Sequence, residues 1–167
     1  STFKIVVASG ALNEGVVRLG DVFDCEHGHF AFAGRVLHDH ESYGALSVEG
    51  IITKSSNIGA GKIAVEHLGD ALLYDYIRRF GFAQYTRIPL TGETPGYAAQ
   101  AAKWNKLSIS RIPMGHEIMV TPLQMNLAMA AIANGGTLME PMLIRRLEDA
   151  DGQTVIEYKP NVVRRVV

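Results

Sequence analysis

The sequence predicts a mainly α-helical chain with short β elements and a C-terminal β-hairpin. Three observations carry that expectation. Apolar residues recur at helical spacing in the opening segment, again over residues 70–80 and again over 122–133. The run Thr121-Pro122-Leu123-Gln124 has the residues of a helix capping box with proline at the first helical position. Two β-prone runs, Met142 to Leu147 and Thr154 to Tyr158, lie on either side of Asp151-Gly152, a pair suited to a tight turn.

Taken in order, Ser1 to about Leu12 reads as a helix. Phe3, Val6, Val7 and Ala11 are spaced as one apolar face, Ile5 and Ala8 widen it, and Asn13-Glu14-Gly15 ends it. Residues 16–45 carry glycines between short apolar pieces and read as irregular loop with brief strands around Val22-Phe23 and Phe30-Phe32. Leu46 to Lys54 reads as a short helix capped by Ser47, and Asn57 to Leu68 as another, stopped by Gly69. Asp70 is the expected N-cap of a third, with Leu72, Leu73, Tyr76, Ile77 and Phe80 on its apolar face and Gly81 closing it. Residues 82–115, rich in Gly, Pro and Thr, read as a long connection. The helix after Thr121 runs to Asn134-Gly135-Gly136, with a Met and Ala stripe read as core packing rather than a cofactor site.

Composition narrows the function classes. The chain has 167 residues, 47% hydrophobic and 20% charged, which describes an ordinary globular chain and sets one domain as the expectation. A net charge of −1 gives no electrostatic basis for binding nucleic acid or an anionic membrane surface, and Arg145-Arg146 and Arg164-Arg165 read as solvated surface. The single cysteine, Cys25, excludes an internal disulfide. No apolar run approaches the length of a membrane span.

Four residues carry the chemistry. Ser1-Thr2-Phe3-Lys4 is an S-x-x-K tetrad, and residues three apart on a helix share a face, so a hydroxyl would stand beside an amine. Such a pair also occurs at ordinary helix starts, so the tetrad gains meaning only in company with other motifs. Ser55-Ser56-Asn57 is an S-x-N triplet ahead of a helical stretch. Its plain alternative is helix capping, since Ser and Asn are preferred caps, and both readings are compatible. Other polar groups weigh less. Asp24, Cys25, Glu26, His27 and His29, with His38-Asp39-His40, could gather around Zn²⁺, but alternate-residue Cys-x-His-x-His is not finger spacing and a polar loop is the expectation. His116 and Glu117 read as loop surface, Ser56 as a packing residue and Trp104 as partly exposed packing.

Ser1-x-x-Lys4, Ser55-x-Asn57, Asp39-His40-Glu41-Ser42-Tyr43-Gly44 and Val120-Thr121-Pro122-Leu123-Gln124-Met125 together resemble the transpeptidase domain of penicillin-binding proteins, the serine acyl-transfer family that includes class A β-lactamases. The latter two segments are most similar to class B, division- or elongation-type members. The likeness runs from Ser1 to about Gly136 and is weaker beyond. The resemblance implies a partial β-lactamase/transpeptidase-like α/β fold missing most of the central sheet. It implies one partial domain over residues 1–167, with a helical portion 1–136 and a hairpin and tail over 137–167. It also implies roles: Ser1 as nucleophile, Lys4 as base or proton relay, Ser55 as second proton carrier and Asn57 as the substrate-binding amide that keeps Lys4 oriented. The implied partners are peptidoglycan stem peptides ending in D-Ala-D-Ala and β-lactam antibiotics. The parent is expected to work beside a membrane glycosyltransferase of cell-wall synthesis, anchored in the bacterial membrane with this domain on the extracytoplasmic side. No cofactor or metal is implied.

The family's K-T-G segment is absent from the sequence. In the family it supplies the second oxyanion N–H and the groups that hold the donor's carboxylate, and losing even one oxyanion donor costs about two to three orders of magnitude in rate. The chain is therefore read as the middle of a transpeptidase domain, cut at both sides and inactive or nearly so by itself. The opening helix is expected to expose a face meant for the missing strands, which invites dimerisation or swapping. A β-lactam sensor domain is the alternative function, and a β-lactamase ranks last because no suitably placed acidic residue stands out.

Overall fold

The structure, a computed structural model, describes residues 2–167. Ser1, the expected nucleophile, lies outside the described residues. Helix α1 (Lys4–Asn13) is the centre of the helical portion. No residue from Phe3 to Leu12 is exposed, because α1 is packed on several sides by α2 (Val48–Lys54), α3 (Asn57–Ile63) and α4 (Gly69–Arg79). Phe3, Val6, Val7 and Ala11 meet Ile51, Ile63, Tyr76, Ile77 and Phe82 in one core. The approach of α1 to α4 depends on Gly10, where a Cβ would lie 3.0 Å from the Tyr76 ring. The exposed face expected for the opening helix narrows to a half-buried stripe of Ile5, Ser9 and Leu12.

Most helices follow the sequence pattern. Ser47 caps α2, accepting from Gly50 N at 3.0 Å. The stretch 57–68 forms α3 and then a π-helical turn, Ala64–Leu68, stopped at Gly69 with φ 74°. Asp70 is not the N-cap of α4. That helix follows the π turn directly, beginning at Gly69, so Asp70 falls inside its first turn, where its charge complements the helix dipole without a capping bond. The connection 82–115 is also less irregular than its composition suggests, since it contains α5 (Ser108–Arg111) flanked by single 3-10 turns.

Helix α6 (Pro122–Ala133) has the full capping box. Gln124 N donates to Thr121 Oγ1 at 3.1 Å and Thr121 N to Gln124 Oε1 at 3.0 Å. The buried Gln124 amide also donates to Gln84 O and Pro95 O, each at 2.8 Å, which fastens the connection to the helix start. Thr121→Ala is expected to destabilise the chain by about 1 kcal/mol, read as a lowered midpoint in thermal denaturation by circular dichroism. The Met and Ala stripe is only partly core: Ala128 and Ala131 are buried, whereas Met129 and Ile132 are 45% and 39% exposed.

Among the described residues the β elements are ten short strands in five two-stranded antiparallel ladders. β1 (Val22–Asp24) pairs with β4 (Ala45–Ser47), and β2 (His29–Phe32) with β3 (Arg35–His38). β5 (Tyr97–Ala98) pairs with β6 (Ile118–Met119), and β7 (Thr137–Met139) with β10 (Val162–Arg165). The expected C-terminal hairpin is β8 (Arg146–Glu148) against β9 (Thr154–Glu157), with Leu147 opposite Ile156. It is shorter than its apolar runs, and every one of its strand residues is exposed. The tail beyond it returns to the core, where β10 pairs with β7 beside the buried Leu138 and Val166 is buried.

Candidate active site

The site forms where α2 hands over to α3 beside the first turn of α1. The chain leaves α2 at Ser55 in the left-handed region, φ 56° and ψ 40°, a helix-ending position usually taken by glycine. For serine this conformation costs on the order of 1–3 kcal/mol. Ser56 is then extended and caps α3, its Oγ accepting from Gly59 N at 2.9 Å. The capping role that could have claimed Ser55 or Asn57 thus falls to Ser56, which is fully buried, in agreement with its reading as a packing residue. α2 and α3 meet closely at Gly59, where a Cβ would lie 2.6 Å from Ile51 Cδ1.

This turn aims three oxygens at Lys4. Its Nζ lies 2.8 Å from Ser55 O, 3.0 Å from Ser55 Oγ and 2.8 Å from Asn57 Oδ1. The two carbonyl oxygens can only accept, so both hold Lys4 N–H groups. Ser55 Oγ is different, because a hydroxyl either accepts from an ammonium or donates to a neutral amine. The third position of Lys4 can therefore exchange a proton with Ser55 without disturbing the other two bonds. Burial, with Lys4 only 3% exposed, pushes the lysine below its ordinary value, and the Asp39 carboxylate partly opposes that shift.

The same turn is braced from behind. Asn57 Nδ2 donates to His38 O at 2.9 Å, and Asp39 accepts from the backbone N–H groups of Asn57 and Ile58 and from Ser56 Oγ. A cleft of about 440 Å³ opens beside Asn57, walled by Arg35, His38, Arg111, Met114 and His116. A second cavity, of about 310 Å³, lies away from this cluster between α4, α6 and the β7–β10 ladder.

The remaining sequence candidates separate. His116 stands at the cleft rim, while Glu117 holds its own loop, accepting from Ser108 Oγ at 2.6 Å and facing Arg111 at 3.5 Å. Trp104 packs partly buried against Tyr74 and donates to Ala99 O at 2.9 Å. Among the described residues no three His, Cys, Asp or Glu side chains gather as a metal site. Cys25 is buried 3.4 Å from Ser56 Oγ, and burial pushes its thiol up, away from the thiolate a metal requires. Glu26 instead pairs with Lys62 at 2.6 Å.

The structure brings the expected Lys4, Ser55 and Asn57 together and adds Asp39 to their setting, a residue the sequence does not single out. The signal for Asp39 is weak, because it lies in a polar His-Asp-His-Glu run and reaches α3 only through the tertiary fold.

A buried lysine held by a serine–asparagine turn, three positions after a serine in sequence, is the arrangement of the S-x-x-K and S-x-N motifs of serine acyl-transfer proteins. The chain belongs to the penicillin-binding protein transpeptidase domain family, which it matches over residues 1–167. It is 30% identical to penicillin-binding protein PbpB of Mycobacterium tuberculosis, covering 99% of this chain and 24% of that protein. It is 32% identical to peptidoglycan D,D-transpeptidase FtsI of Escherichia coli, covering 100% of this chain and 28% of that protein. The crystal structure of penicillin-binding protein 3 of M. tuberculosis superposes with a TM-score of 0.88 at 31% identity, over 100% of this chain and 37% of that one. That protein has also been solved with ampicillin and with aztreonam. The chain spans about a quarter of the length of the curated relatives it matches.

Proposed function

We propose that residues 1–167 are the nucleophile-bearing part of a peptidoglycan D,D-transpeptidase. Ser1 Oγ attacks the carbonyl between the terminal D-alanines of a stem peptide while its proton reaches Lys4, a neutral amine, by way of Ser55 Oγ. The tetrahedral intermediate collapses by breaking the C–N bond. The leaving amine takes a proton passed through Ser55 Oγ, and D-alanine departs, leaving an ester on Ser1. An amine of a neighbouring strand then attacks that ester, reversing the proton path. A β-lactam acylates the same hydroxyl by opening its ring. Asn57 has one amide hydrogen beyond its bond to His38, and that hydrogen serves the substrate backbone.

The observation that carries this reading is the Lys4 amine, buried and within 3.0 Å of both Ser55 Oγ and Asn57 Oδ1, at the positions of the S-x-x-K and S-x-N motifs. The transpeptidase names of the relatives favour it over a sensor domain or a β-lactamase. The working enzyme joins this segment to a K-T-G strand and a membrane anchor and acts on the extracytoplasmic side beside a glycosyltransferase. Residues 1–167 alone are expected to take up a fluorescent penicillin very weakly or not at all. A polypeptide that adds the K-T-G segment is expected to form a stoichiometric adduct on the peptide containing Ser1, read by intact and peptide mass. Labelling at another residue, or undiminished labelling of Ser1→Ala in that polypeptide, would overturn the proposal.

A further inference from the structure

Asp39 stands 16 to 18 positions before Ser55, Ser56 and Asn57 in sequence and outside both motifs, yet its carboxylate is built into their turn. Oδ1 accepts from Asn57 N and, at 3.1 Å, from Ile58 N, so it holds two amides at the start of α3 that have no partner within the helix. Oδ2 accepts from Ser56 Oγ at 2.7 Å, the same oxygen that receives Gly59 N. One carboxylate thus fixes three consecutive residues with charge-assisted bonds.

The preceding carbonyl completes the clamp. His38 O can only accept, so it binds the NH₂ end of the Asn57 amide, at 2.9 Å, and turns Oδ1 toward Lys4. With Asn57 Oδ1 and Ser55 O each holding a Lys4 N–H, the last Lys4 position faces, among the described residues, Ser55 Oγ. We infer that Asp39, with the His38 carbonyl, is a positioning residue that sets the Ser55–Asn57 turn and thereby directs the proton-exchanging position of Lys4 onto Ser55. The inference rests on the transpeptidase reading for its catalytic consequence and on geometry alone for its structural one.

Asp39 acts on Lys4 by charge as well as by geometry, and the two can be separated. Its charge favours the lysine ammonium, against the burial that disfavours it. Among the described residues the charged and titratable surroundings are few: Asp39 faces Lys4 from the end of β3, Cys25 lies behind Ser56, Glu41 and Tyr43 come next in the loop, and Lys62 and Asp24 act on Cys25. Asp39→Asn keeps an acceptor for the two α3 amides and removes the charge. Asp39→Ala removes both.

The experiment uses two readouts on residues 1–167 that need no activity. The first is amide hydrogen exchange at Asn57 and Ile58, and the second is titration of Lys4 through its Cε chemical shift. Asp39→Ala is expected to speed exchange at both amides by about tenfold or more, relative to distant core amides, and Asp39→Asn by much less. Asp39→Asn is expected to move the Lys4 midpoint to lower pH, a change that a merely structural role would not produce. In the polypeptide that includes the K-T-G segment, Asp39→Ala is expected to slow penicillin acylation by up to about 100-fold, with Asp39→Asn restoring most of the rate near neutral pH. Unchanged exchange in Asp39→Ala together with an unmoved Lys4 midpoint in Asp39→Asn would overturn the inference. Altered exchange and midpoint without acylation in the parent polypeptide would leave the clamp standing and count against the transpeptidase reading instead.

Discussion

Lys4→Arg is expected to slow penicillin acylation by about 10²–10⁴-fold in a polypeptide that joins this chain to a K-T-G segment, the range associated with removing a positioned proton acceptor. Arginine keeps the positive charge and can still bind Ser55 O and Asn57 Oδ1, so the folded state has a way to survive. It cannot give up its proton at any working pH, and its planar fork does not match three oxygens arranged around a tetrahedral nitrogen. The wild-type rate should fall as pH drops through the Lys4 pKa, which burial holds below the ordinary lysine value. Lys4→Arg should have no such limb. The same shift has a stability consequence of fixed sign. Between the lowered folded value and the ordinary one the unfolded chain binds the extra proton, so stability contributed at this residue rises with pH across that window. Second-order acylation rates over a pH series, with thermal unfolding in parallel, check both statements. A Lys4→Arg variant with wild-type rates would remove the lysine from the mechanism.

Gly59→Ala is expected to have a large effect while leaving every motif residue in place. The added methyl would fall 2.6 Å from Ile51 Cδ1, inside a contact that both helices bury completely. Relief requires α2 and α3 to separate or Ile51 to leave its rotamer, at about 1–3 kcal/mol. Ser55 ends α2 and Asn57 opens α3, so separating the helices also opens the site, and a displacement near 1 Å is enough to cost about 100-fold in rate. The cause can be isolated by pairing. Ile51→Ala alone leaves a cavity, but with Gly59→Ala the new methyl enters the space vacated, so the double variant should be more stable than the sum of the single effects. Denaturant unfolding of the four proteins gives the coupling, and strict additivity would show that the contact is not the origin of the loss.

The legible parts of this fold are those where local chemistry and tertiary packing agree. The α6 capping box is readable because Thr121, Pro122 and Gln124 act on their own backbone. The Ser47 cap of α2 is readable for the same reason. The β2–β3 hairpin is only half visible: its turn is Ala33-Gly34, both at positive φ, and alanine at such a position gives none of the warning that Asn-Gly would. The two-residue strands β5 and β6 are too short to show alternation at all. In the site, motif resemblance points to Lys4, Ser55 and Asn57, which lie together, and Ser56 is buried as the cap of α3. Asp39 is lost among neighbouring polar residues because its role depends on a helix start that sequence alone does not bring near. Gln124 reads only as a cap, although the same side chain also fastens residues 84 and 95.

The left-handed backbone at Ser55 has a consequence for how this segment evolves. Chain reversal alone would choose glycine there, whereas the proposed proton path asks for a hydroxyl. Selection for a sturdier protein and selection for a working one therefore pull this position in opposite directions. A drift toward glycine at that spot in a descendant would mark a copy kept for its shape after its reaction had been given up.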